Sequence, residues 1–281
     1  MSTAFWATHG RLTSPGRHAT ALHTLPRDLP DLCAAIRGLV IHYRSPELPG
    51  RIARHRFEEL RLRRVEAMLR RILELDPRPL WERRPPRSRL IGCCRDFAVL
   101  LCATLRERGT PARVRVGFAN YLGPDGWIDH WLTERWDARA RRWMRVDAEF
   151  APAALADMSF NTLNVPGTRF TCAGDAWLAW RSGSIDATNF GYDADNRGAW
   201  VIRANLLHDV ACLSRIETTP WDFWGLALPP FEQLGREDLL CLDLAGEASQ
   251  VGKVAGHPRL QVPRTVMSYS LADVRAPAKL W

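Results

Sequence analysis

Apolar residues along this chain recur every three or four positions in some stretches and every second position in others, so helices and strands can be placed directly. From Asp31 to Tyr43, Leu32, Ile36, Leu39 and Val40 share one face, which predicts a helix. Pro46 and Pro49 interrupt the chain. Ile52 to Leu75 then predicts a longer amphipathic helix with Phe57, Leu60, Val65, Met68, Leu69 and Ile72 inward. Pro77 and Pro79 stop it, and Pro85-Pro86 sits in a basic loop. Cys94 to Arg108 repeats Phe97, Ala98, Leu101, Cys102 and Leu105 at helical spacing, with Gly109 as a stop. Val114, Val116 and Phe118 alternate within Ala112 to Phe118, which predicts a strand. Gly123-Pro124-Asp125-Gly126 is a turn, Trp127 to Trp136 a second strand, and Arg142 to Val146 a third after the turn at Ala138 to Arg141. The tight connection between the last two predicts antiparallel pairing. Beyond Phe150, helices are expected at Cys172 to Arg181, Trp200 to Ser214 and Phe231 to Leu244, separated by loops rich in aromatic, Asn and Gly residues.

A chain of 281 residues can bury a sizeable core. No run of 18 apolar residues predicts a membrane span, and Met1 to Arg11 lacks the basic-then-apolar order of a secretory leader. Seven cysteines scattered through so long a chain fit a reduced, cytoplasmic setting better than a disulfide framework. The net charge of +8 comes almost wholly from arginine, since Lys253 and Lys279 are the only lysines. Much of the excess lies between Arg51 and Leu90. Such a stretch is either a solvated helix face or a patch for nucleic acid or an acidic carrier. The first reading is preferred, because no zinc-finger, RNA-recognition or helix-turn-helix pattern accompanies it. No metal or cofactor site is expected: Cys93 and Cys94 are adjacent without a second pair, and no phosphate-cradling glycine loop occurs. His208 and Cys212, four apart, read as a buried packing pair.

The chemistry concentrates in three short contexts: Gly92-Cys93-Cys94-Arg95-Asp96, Asp129-His130-Trp131 and Arg142-Trp143-Met144-Arg145-Val146-Asp147. In order they supply a thiol nucleophile, a base, and a group to orient the base. A cysteine at a helix N-terminus gains from the unpaired N–H groups of the first turn, which favour a thiolate and can bind an oxyanion. Cys94 is preferred over Cys93 because Ala98 and Cys102 follow it at helical spacing. Asp147, at the end of the third strand, is placed to accept from one imidazole nitrogen of His130; from spacing alone it reads equally well as a strand-end turn residue.

These contexts resemble the transglutaminase-like superfamily. The resemblance is carried by Gly92, Cys94 and Ala98, then Arg106, Gly109, Pro111, Ala112, Arg113 and Val114, then His130 and Glu134, then Trp143 and Asp147. It covers Leu90 to Phe150. It implies an α+β, papain-like core with the cysteine at a helix N-terminus packed on an antiparallel sheet, to which the apolar pattern adds helical N- and C-terminal extensions. It further implies Cys94, His130 and Asp147 as the catalytic triad, with Arg113 and Glu134 structural. Trp131-Leu132 departs from the family's small residue followed by Trp.

The expected organisation is an N-terminal helical segment over 1–89, a catalytic core over 90–150 and a C-terminal extension over 151–281 that caps the site, together in one compact unit. The expected function is a bacterial-type cysteine amide hydrolase or acyltransferase acting on a small or peptide-like amide. The alternative is a catalytically silent binding module that engages nucleic acid through 51–89.

Overall fold

In the computed structural model the described residues are 3–48, 56–124, 126–151, 160–230, 233–269 and 275–281. The helices are α1 (Ala19–His23), α2 (Leu29–Leu39), α3 (Val65–Leu75), α4 (Cys94–Glu107), α5 (Ala173–Arg181), α6 (Ala199–Leu213) and α7 (Arg236–Gln250). The strands are β1 (Val40–His42), β2 (Leu90–Gly92), β3 (Ala112–Ala119), β4 (Trp127–Asp137), β5 (Arg142–Val146), β6 (Phe170–Cys172), β7 (Phe190–Gly191), β8 (Asp222–Phe223), β9 (Thr265–Tyr269) and β10 (Arg275–Lys279). Helices and a largely antiparallel sheet of order β5-β4-β3-β6 make an α+β fold, as expected. The chain divides into two units, one of Met1–Val114 with Leu132–Val165, the other of Arg115–Trp131 with Pro166–Trp281.

In the first unit, α2 ends earlier than its apolar spacing predicts. Val40 and Ile41 are β-branched, and they leave the helix to pair in parallel with Leu90 and Ile91. The long helix expected over Ile52 to Leu75 is also divided. Positions 52–55, like Pro49 before them, lie outside the described residues, Phe57–Arg61 forms a 3-10 turn, and α3 begins only at Val65. The break has a cause. Buried Arg95 takes the carbonyls of Leu62 and Arg63 as acceptors, and a continuous helix would have used them internally. The strands at the sheet edge are as expected, with β4 and β5 antiparallel and Thr133 opposite Val146. Asp125, in the turn expected before β4, is outside the described residues.

The second unit has its own core. Phe118, Trp177, Phe190, Trp224, Leu206, Val210 and Leu242 are buried together. Several aromatics of the C-terminal extension thus fill an interior. Helix α7 runs to Gln250 rather than stopping near Leu244, and Phe231 lies outside the described residues. The apolar pattern fades at Gly246, yet this glycine is where α5 comes close: a Cβ there would meet Trp177 at 3.0 Å and Leu178 at 3.1 Å. The β8-β9-β10 sheet has no counterpart among the expected elements.

His208 lies in this core, buried between Trp131 and Trp224, with Nδ1 2.9 Å from the Thr218 hydroxyl. Burial pushes its pKa down from 6.5 to about 4, against a smaller opposing effect of Asp222. The folded state therefore holds the neutral ring where the unfolded chain is protonated. Stability is unaffected above the unfolded value and is lost as pH falls from 6.5 toward 4. Between pH 7 and 5 the loss from this residue is about 2 kcal/mol. Urea titrations at both pH values are expected to show a smaller pH-dependent loss in His208→Gln by about that amount. An identical loss in both proteins would contradict the assignment.

Candidate active site

The cysteine's position is built from charges buried around β2 and the start of α4. Glu59, buried, accepts from Arg56, from Arg71 at 2.9 Å and from the Ile91 N–H at 2.8 Å, which fixes β2 one step before the motif. Gly92 is required by crowding: a Cβ there would stand 2.8 Å from both Asp96 Oδ2 and Val40 Cγ1. Asp96 Oδ2 accepts the Cys93 N–H at 2.8 Å and Oδ1 accepts from Arg95 at 2.9 Å, so a third-position carboxylate closes the N-terminus of α4. Burial pushes the Asp96 carboxyl up, and Arg95 works against this. Sequence reasoning passed over Glu59, Arg95 and Asp96. A Glu or Asp three residues into a helix is a legible capping signal, whereas nothing local marks Glu59.

Cys94 is the first residue of α4, where backbone N–H groups lack helical partners. It is 8% exposed, the highest value among the seven cysteines, and all seven are free thiols. Cys93 is more deeply buried, and burial pushes its thiol up. These facts favour Cys94 of the adjacent pair. The helix it begins is tied to β4 by the Thr133 hydroxyl, which donates to the Ala98 carbonyl at 2.8 Å.

Asp147 follows β5 directly, one residue past Val146, and is 2% exposed. Its N–H donates to the Thr162 carbonyl at 2.8 Å, and its Oδ1 accepts the Glu149 N–H at 3.0 Å. Arg113 and Glu134 form a buried ion pair at 2.7 Å, with the guanidinium 4.1 Å over the Trp143 ring. Both have the structural role that the motif implies.

His130 lies on β4, three residues before Thr133, and belongs to the second unit, whereas Cys94 and Asp147 belong to the first. It is 1% exposed, and its ring meets Tyr121 edge-to-face at 5.8 Å. The neighbouring carboxylate, Asp129, accepts from Asn205 Nδ2 at 2.7 Å.

The arginines of the basic stretch are largely engaged among the described residues. Arg61 pairs with Glu58, Arg64 with Glu66, Arg70 with Glu74 and Arg78 with Asp76, while buried Arg84 donates to four main-chain bonds. Arg51 lies outside the described residues. Among those residues no group of three or more His, Cys, Asp or Glu is placed to hold a metal ion. No described helix is long and apolar enough to cross a membrane.

Comparison with protein-family models agrees with the motif. The model of the transglutaminase-like superfamily matches residues 50–148. No curated protein matches the sequence. A solved structure of a candidate cysteine protease from Cytophaga hutchinsonii is similar at 16% identity with a TM-score of 0.35, covering 60% of this chain and 44% of that one. The chain therefore spans less than half the length of that structure. The matched superfamily is one of cysteine-type enzymes, and over residues 50–148 this chain carries a transglutaminase-like domain.

Proposed function

We propose that the protein is a cysteine amide hydrolase or acyltransferase with Cys94 as nucleophile, His130 as general base and acid, and Asp147 as the group that orients His130. The observation that carries this reading is Cys94 at the first position of α4, the most exposed thiol of the chain, inside a transglutaminase-like match. The helix N-terminus favours negative charge on sulfur and offers N–H groups to an oxyanion. His130 takes the thiol proton as sulfur attacks an amide or thioester carbonyl, and returns it to the leaving group. Water or an amine then resolves the acyl-enzyme. Substrates are small or peptide-like amides, with residues 151–281 setting the choice among them, and the setting is cytoplasmic. The silent nucleic-acid module is the weaker reading, because the arginines of 56–89 are so largely paired within the chain.

Intact mass measurement during reaction with an activated ester tests the chemistry. One acyl group is expected on Cys94 at short times; acylation elsewhere, with Cys94 unmodified, would overturn the nucleophile. Asp147→Asn is expected to fold and to lose activity by a factor on the order of a hundred or more, because the carboxylate no longer fixes the imidazole. Activity within about twofold of wild type would move the orienting role to another acid such as Asp129.

A further inference from the structure

The matched domain begins at residue 50, yet a side chain from an earlier helix reaches the segment that carries Asp147. Arg37 lies on α2, one turn after Cys33. Its Nη1 donates to the Ala148 carbonyl at 3.2 Å and the Phe150 carbonyl at 3.4 Å. Asp147 heads this same short segment, and its Oδ1 accepts the Glu149 N–H within it. One guanidinium thus holds the two carbonyls that flank the residue whose N–H the carboxylate accepts. Both bonds come from one nitrogen, whose two N–H groups span the pair of carbonyls.

We propose that Arg37 is a positioning residue for the active site: by gripping the 148 and 150 carbonyls it fixes the Asp147 carboxylate in the orientation that His130 needs. The inference rests on the triad reading above. It assigns a role in the chemistry to a helix that precedes the matched domain.

The charges around the pair agree with this. Burial pushes the Arg37 guanidinium below its usual value; Cys33 and Asp147 oppose that shift, and Arg83 adds to it. Cys33 is pushed up to about 12, by burial first, with Asp147 adding and Arg37 and Arg135 opposing. At neutral pH Cys33 is therefore an uncharged thiol, and the Asp147 carboxylate is a charge that favours the Arg37 cation. Removing the cation takes away a favourable charge near the ionised carboxylate.

The test is the rate of Cys94 alkylation by iodoacetamide, resolved by site with mass spectrometry, across about pH 5 to 9. It compares wild type, Arg37→Met, Arg37→Lys, Asp147→Asn and the Arg37→Met/Asp147→Asn double variant. Arg37→Met is expected to slow alkylation about fivefold or more and to move the acid limb of the profile to higher pH. Arg37→Lys is expected to restore the limb. The double variant is expected to be no more than about twofold slower than Asp147→Asn, because both changes act on one group. A rate in Arg37→Met within about twofold of wild type, with Asp147→Asn slowed, would overturn the inference and leave the triad standing. An equal slowing by Arg37→Met in the Asp147→Asn background would also overturn it, since the effect would then not pass through Asp147. An unchanged rate in Asp147→Asn would overturn the triad reading itself, and this inference with it. If Arg37→Met does not fold, Arg37→Gln is judged by the same outcomes.

Discussion

Cys94→Ala is expected to leave a folded protein whose turnover is down by a factor on the order of 10,000 or more. Without sulfur no acyl-enzyme forms, and the helix N-terminus can only bind substrate and polarise its carbonyl. An unbiased screen of metabolites and peptides, run with wild type and Cys94→Ala in parallel, would expose both the substrate and the loss. His130→Ala added to Cys94→Ala is expected to cost little more, because the two residues act as one unit. A product that forms at the same rate in both proteins would mean that the chemistry lies elsewhere in the chain.

The largest expected effect on stability is at Asp209. Its carboxylate accepts two bonds from Arg115 at 2.9 Å, one from the Val116 N–H at 2.8 Å and one from the Ser249 hydroxyl at 2.6 Å. All of this is buried, and it ties β3, α6 and α7 together within the second unit. Asp209→Ala leaves a guanidinium in the interior without its counter-charge, at a cost of about 3–5 kcal/mol. Urea unfolding followed by tryptophan fluorescence reads this directly. A loss below about 1 kcal/mol would show that Arg115 finds other acceptors or water in the variant.

Much of this architecture is legible in the sequence, and the places where it is not have physical causes. Helix α4 and strands β3, β4 and β5 follow from apolar periodicity to within a residue or two, because their large apolar side chains keep a regular spacing even though α4 and β3 are buried on all sides. The pattern misleads where long-range partners decide. Val40 and Ile41 continue the spacing of α2 but are claimed by β2. The segment before α3 has a helical face but yields its carbonyls to Arg95. Short strands such as β8 carry too few residues to show alternation at all. For the site, Cys94 and its helix are readable because a motif and a helix start coincide. Arg37 is not, since its partners are backbone carbonyls more than a hundred residues away and leave no pattern in the side chains.

The central claim is that Cys94 is the reactive thiol among seven buried or nearly buried cysteines. Site-resolved labelling with iodoacetamide near neutral pH tests it most directly. The account predicts that Cys94 is modified first in the folded protein, ahead of Cys93 and Cys33, whose thiols burial pushes up. Labelling of Cys102 or Cys172 ahead of Cys94 would contradict it.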